Sequence, residues 1–189
     1  GAAEVLAGLK ADLPGTVVFL FQPAEEGPPG GEKGGAELMI AEGALDNPKV
    51  EAVFGLHVFP YEAGGIRVRA RGTMAAGDTL TITVRGRQTH GAMPWNGVDS
   101  IVVASQVVLG LQTIVSRQAD LSTAPAIVTI GIIEGGNRTN IIPETVRLAG
   151  TIRTFDKEMR QVIHERVRRT ATGIAQSAGA TAEVDIEPG

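Results

Sequence analysis

The feature that most limits what this chain can fold into is the succession of hydrophobic periods from residue 76 to residue 188. "DTLTITVRG" alternates, which puts Leu80, Ile82 and Val84 on one face of a half-buried strand. "VDSIVVASQVVLGLQTIVSRQ" then switches to a helical pattern, with Asp99 or Ser100 as its cap. "AIVTIGIIEGG" and "ETVRLAGTIRTF" predict two further strands. "DKEMRQVIHERVRRTATGIAQSAG" predicts a second long helix, begun at Asp156 and stopped at Gly179, and "TAEVDIE" predicts a last alternating strand. The order β-α-β-β-α-β is that of a ferredoxin-like α+β fold, with two helices on one face of an antiparallel sheet.

Before residue 76 the pattern differs. Val5, Leu6, Leu9 and Leu13 suit a helix from Ala2 to about Leu13, ended by Pro14-Gly15. Val17 to Phe21 is a continuous apolar run, expected of a strand covered on both faces as in a parallel sheet. Residues 23 to 35 are rich in glycine and proline and form a loop. A short helix from about Ala36 to Ala41 is closed by Gly43, and "EAVFGLHV", residues 51 to 58, is a second buried strand. Strand, helix, strand in that order predicts part of an α/β layer. "GIRVRARG" is a half-exposed strand leading towards a linker at "GTMAAGD". Two domains are expected: a partial α/β domain over residues 1–75 and the α+β domain over residues 76–189.

Composition narrows the function. A net charge of −4 argues against a binder of phosphate backbones, and the 4% of aromatic residues against base-stacking platforms. Neither a nucleic-acid nor a membrane partner is expected, because no apolar run approaches the roughly 20 residues that span a bilayer. The absence of cysteine excludes disulfides, thiolate metal sites and a cysteine nucleophile within the chain, and fits a cytoplasmic location. No signal peptide is recognisable at the start. The chain opens inside a helical pattern and closes just after a strand-like run, as expected of a segment of a longer protein.

"GTVVFLFQPAEEGPPGG" raises a specific question, since an apolar run aims two adjacent glutamates out of its end. Like charges repel, and carboxylates beside an apolar strand lose hydration, so a positive partner is expected. Glu25 and Glu26 follow the first buried strand, and His57 ends the second, in "GLHVFP". Parallel neighbours would open both ends on one rim of the sheet, where α/β proteins place ligands. Two carboxylates and an imidazole there suit Zn²⁺, Mn²⁺ or Co²⁺. Adjacent residues of an extended segment point in different directions, so one glutamate can hold the ion while the other handles the proton of a water. Metal-assisted hydrolysis is the reaction class that follows.

"FQPAEEG" followed by "FGLHVFP" resembles the M20 metallopeptidase family, in its aminoacylase and hippurate hydrolase-like amidohydrolase branch. "GRQTHGAMPWNGVDSI" is similar to the lid-domain histidine motif of that family, and "GGNRTNIIPETVRLAGTIRTF" to its later asparagine and arginine segment. The resemblance covers essentially the whole chain in the right order. It implies a metal-binding α/β catalytic domain with an inserted ferredoxin-like lid. Glu25 would be the general base, with Glu26 and His57 as metal ligands. His90 would polarise the scissile carbonyl or stabilise its oxyanion, in dimeric relatives at the partner's site. Asn140 would hold the substrate, and Arg153 would face its carboxylate. The implied cofactor is a pair of divalent ions in the complete enzyme, and the implied substrate an N-acyl amino acid or related amide. A cysteine–histidine cluster upstream and a last histidine ligand downstream of the lid are missing from this segment. It is therefore expected to bind metal poorly and to have little activity by itself.

His164, on a helix crowded with charge, is assigned to a solvated face, and "RVRR" at 166 to 169 to the wet face of the same helix. Arg138 competes with Arg153 as the carboxylate-binding arginine. "EGPPGGEKGG" lacks the ending of a phosphate loop, so its glycines serve close passage of backbone. "SIVVASQVVLGLQTIV" is apolar over more than one face, which predicts homodimerisation through the lid. The alternative to an enzyme is a non-catalytic dimerisation or interaction module.

Overall fold

The computed structural model describes residues 1–25, 34–55, 60–68, 70 and 72–189. The chain divides into two compact units, Gly1–Gly65 and Ile66–Gly189.

The second unit is built on the alternation read above. Its strands are β1 (Ala76–Arg85), β2 (Thr89–His90), β3 (Ala126–Gly135), β4 (Ile141–Ile142), β5 (Thr145–Thr154) and β6 (Thr181–Pro188). Four of them form one antiparallel sheet in the order β3-β5-β1-β6, and β2 pairs with β4 in a short second ladder. Between β2 and β3 lies a helix, α3 (Ser100–Thr113), which runs on into a π turn at Ile114–Gln118; α4 (Lys157–Ser177) precedes β6. Counting only the strands of the four-stranded sheet, the order is the β-α-β-β-α-β expected from the periods, and the short β2 and β4 are additions to it.

Leu80, Ile82 and Val84 of β1 join Val146, Leu148 and Ile152 of β5 in the core. Against them pack Val103, Val107 and Leu111 of α3 and Ile163, Val167, Ala171 and Ala175 of α4. The α4 residues recur every four positions, so one ridge of the helix faces inward. Small residues let the two helices approach: a Cβ at Gly110 would lie 2.5 Å from Cδ1 of Ile174. Asp99 caps α3 by accepting from the N–H groups of Ile101 and Val102, both at 3.0 Å. Asp156 caps α4 through the N–H of Met159 at 2.8 Å. These caps answer the orphan donors of each first turn. Residues Ser100–Gln118 together have the length and mean hydropathy (1.4) of a membrane span, contrary to the expectation of no such run. Their inward residues belong to the core against the sheet.

The first unit contains α1 (Ala2–Gly8) and α2 (Gly35–Ala41). The first helix stops at Gly8 rather than near Leu13, with isolated turns at Lys10 and Asp12 beyond it. The second ends at Glu42 and Gly43, the latter at φ 84° in the left-handed region that favours glycine. The expected parallel layer is not formed among the described residues. Neither 17–21 nor 51–55 is a strand, and residues 56–58 of the second predicted strand lie outside the described ones. A strand exists only through hydrogen bonds to a neighbour, and these segments have none among the described residues. Val17 to Leu20 are correspondingly 42–47% exposed, and Phe54 93%. The predicted strand at 65–72 is likewise unformed over its described residues, with Ile66 and Val68 in solvent.

Candidate functional site

Glu25 lies in an exposed turn. The residue before it, Ala24, has φ 52°, a conformation that a side chain disfavours by about 1 kcal/mol. The N–H of Gly35 donates to the Pro23 carbonyl at 3.1 Å, so the base of the glycine-rich loop is pinned beside Glu25. Glu26 and His57, the predicted metal ligands, lie outside the described residues. Among the described residues no three acidic or imidazole side chains cluster to hold a metal. The predicted donor set of carboxylate and imidazole fits a borderline divalent ion by its chemistry.

His90 and Asn140 are brought together. β2 and β4 pair Thr89 with Ile142 and His90 with Ile141, and the N–H of Gly91 donates to the Asn140 carbonyl at 2.8 Å. A Cβ at Gly91 would lie 3.2 Å from that oxygen, which explains a glycine directly after the histidine. Arg87 and Val98 close the loop through two backbone bonds of 3.0 Å. Ser100, fully buried, donates its hydroxyl to the Pro143 carbonyl at 2.6 Å and ties the start of α3 to the same corner. Nδ1 of His90 accepts from the N–H of Ala92 at 3.1 Å. In the neutral ring the proton therefore sits on Nε2, leaving an exposed imidazole with one outward donor. Such a donor suits a carbonyl oxygen that gains negative charge.

Arg153 is not part of that group. It is the penultimate residue of β5, eight residues beyond Thr145, so roughly 26 Å of strand separates it from the His90–Asn140 corner. Arg138 is on the corner side, its carbonyl accepting from the N–H of Ile141 at 3.3 Å. On β5, Arg147 is neutralised by Glu134 at 3.2 Å, whereas Arg153 has no ion pair among the described residues.

His164 is not on a solvated face. Its Nε2–H donates to Oδ2 of Asp78 at 2.5 Å, and its side chain is largely buried. Nε of Arg160 donates to both oxygens of Asp78, at 3.0 and 3.1 Å, and Nη2 forms a further bond to Oδ1. Arg160 Nη2 also donates to the Gly189 carbonyl at 3.2 Å. Burial pushes the Asp78 carboxyl up, but the hydrogen bonds and charges of Arg160 and His164 outweigh it and hold the group below the usual carboxylate range. The signal was present in the sequence. Asp78 is in phase with Leu80, Ile82 and Val84, and a carboxylate in a core phase needs partners; Arg160 and His164 stand four apart on one helix face.

The family profile described as "Peptidase family M20/M25/M40" matches residues 1–188. The chain belongs to that family. Among relatives of this M20 chain, an N-acetylcysteine deacetylase of Bacillus subtilis (strain 168) is 40% identical over 97% of the chain and 46% of its own length. An N-acyl-L-amino acid amidohydrolase of Geobacillus stearothermophilus is 37% identical over 100% of the chain and 50% of its own length. A solved structure of a dinuclear metal binding peptidase from the M20 family, from Bacillus subtilis, superposes with a TM-score of 0.73 at 36% identity. That match covers 98% of this chain and 44% of the other. The M20 chain thus spans about half the length of the curated relatives it matches.

Proposed function

We propose that this chain is part of a metal-dependent amidohydrolase that cleaves N-acyl amino acids or related amides. The observation that carries the reading is the family match along the whole chain together with the amidohydrolase and deacetylase relatives. The first unit is read as part of the catalytic domain and the second as a ferredoxin-like lid, with the boundary near residue 75. Glu26 and His57 would hold divalent metal, a pair of Zn, Mn or Co ions in the complete enzyme. Such an ion, when bound, lowers the pKa of water and polarises a carbonyl. Glu25 takes the proton of the attacking water and returns it to the departing amine. His90 donates from Nε2 to the carbonyl oxygen, Asn140 holds the acyl group beside it, and Arg153 receives the substrate carboxylate.

An N-acyl amino acid is too short to reach from His90 to Arg153 across roughly 26 Å of one sheet. The reading therefore assigns the two ends of the sheet to two substrates in a homodimer. Exposed apolar side chains support the dimer: Ile101, Val102 and Leu109 on α3, and Ile127, Ile132 and Ile133 on the edge strand β3. No nucleic-acid or membrane partner enters this reading, and the cytoplasm is its proposed location. The described segment alone is expected to be inactive, since it carries only part of the ligand set.

The test is Glu25→Gln in the complete protein. Hydrolysis of N-acyl amino acids should fall at least a thousandfold while metal content, read by elemental analysis, is unchanged. Turnover within a few-fold of the parent would remove Glu25 from the mechanism.

A further inference from the structure

The geometry points to Gly77 as the positioning residue for Arg153, an inference that rests on the reading of Arg153 as the carboxylate-binding group. The two residues are cross-strand partners, Gly77 on β1 and Arg153 on β5. Both neighbours of Arg153, Ile152 and Thr154, are buried, so the arginine rises from the sheet face opposite the helices. A Cβ at Gly77 would lie 1.7 Å from Nη1 of Arg153 and 2.7 Å from its Cζ. The guanidinium therefore occupies the volume that any side chain at position 77 would take.

Backbone conformation does not demand a glycine there, because Gly77 is not among the residues with positive φ. What glycine supplies is room. The pairing of Asp78 with Pro188 brings Gly189 level with Gly77, and a Cβ on Gly189 would lie 2.3 Å from the Gly77 carbonyl oxygen. The full row is Ile127–Arg153–Gly77–Gly189, so on the glycine side of the arginine no side chain stands, and on its other side stands Ile127. The next row inward consists of Thr129, Thr151, Thr79 and Glu187.

Two further observations separate this seat from mere vacant surface. Arg153 makes no ion pair among the described residues, whereas Arg147 on the same strand face is matched to Glu134 and Arg160 to Asp78. In addition, the residue after Gly77 is Asp78, fixed from the helix side by Arg160 and His164. The strand under the guanidinium is anchored from behind, while on its front the two glycines leave the arginine a gap. The guanidinium enters the gap end-on, Nη1 nearest and Nε 3.5 Å from the Cβ position, and a side chain seated in this way gives up little rotamer freedom on binding a carboxylate.

The clash that alanine would create is with the far end of a flexible side chain. Gly77→Ala should therefore fold normally and redirect Arg153. In the complete enzyme, Gly77→Ala and Arg153→Ala are each expected to raise KM for N-acyl amino acids about tenfold with kcat nearly unchanged. The same substrates with the carboxylate capped as an amide should show no change with either variant. Gly77→Ala/Arg153→Ala should be no worse than Arg153→Ala alone, and the melting temperature of Gly77→Ala should match the parent. If Arg153→Ala raises KM and Gly77→Ala does not, the positioning role is overturned and the reading of Arg153 stands. If Arg153→Ala leaves KM unchanged, the reading of Arg153 fails and the positioning role with it. A Gly77→Ala variant that melts several degrees lower, or that loses capped and free substrates equally, assigns Gly77 to structure and also overturns the inference.

Discussion

Asp78 gives the second unit its most consequential single contact. Its carboxylate is fully buried and satisfied by Arg160 and His164, which joins the start of β1 to α4. Removing one member of such a pair leaves the others buried without a partner, at a cost of about 3 kcal/mol. Asp78→Asn is expected to lower stability by about that amount, measured by urea unfolding of the second unit near neutral pH. The pH dependence has a definite sign. The folded pKa lies below the ordinary carboxylate value, so the contribution is complete above that value. It is lost as pH falls through the folded pKa. Asp78→Asn should therefore cost most near neutrality and progressively less in acid, and a cost that grew on acidification would contradict the assignment. His164 illustrates the limit of composition as a guide. Surrounded in sequence by charge, it reads as solvent-facing, and only the inward phase of Asp78 on a distant strand reveals its partner.

At the level of elements, the difference between the two halves of the chain is instructive. Strands β1, β3, β5 and β6 alternate in sequence, and the segment that contains them also supplies every neighbour they need. Their boundaries, and the caps Asp99 and Asp156, were therefore legible in the sequence within a residue or two. The apolar run Val17–Phe21 carries equal strand propensity but meets no partner among the described residues, and propensity without a ladder makes no sheet. The corner joining His90 to Asn140 was legible as two separate motifs but not as one site, because a two-residue ladder leaves almost no periodic trace. The bulge in β3 was not legible either. Register shifts between Ile130 and Ile132, and opposite it a Cβ on Gly150 would lie 1.9 Å from the Thr129 carbonyl oxygen. Backbone cannot yield as a side chain does, so Gly150→Ala should destabilise the unit by about 2 kcal/mol in thermal or urea unfolding. Unchanged stability would mean that the bulge relaxes freely.

For the whole molecule, the open edge of the sheet and the outer side of α3 set the expected assembly. Light scattering across a concentration series should give twice the protomer mass. Leu109→Asp combined with Ile132→Asp should shift it to the monomer by placing charge on the exposed apolar positions of α3 and β3. A parent protein that stays monomeric throughout would exclude the dimer. Hydrolysis that persists in a monomeric variant would show that His90 and Arg153 do not serve different substrates.

The pairing of Asp78 with Pro188 has a consequence for how such a segment can travel between proteins. The first and last strands run side by side, so the path in and the path out lie about 5 Å apart at one corner. A host chain could take up everything between those points as it would a surface hairpin, with neither flank pulled out of place.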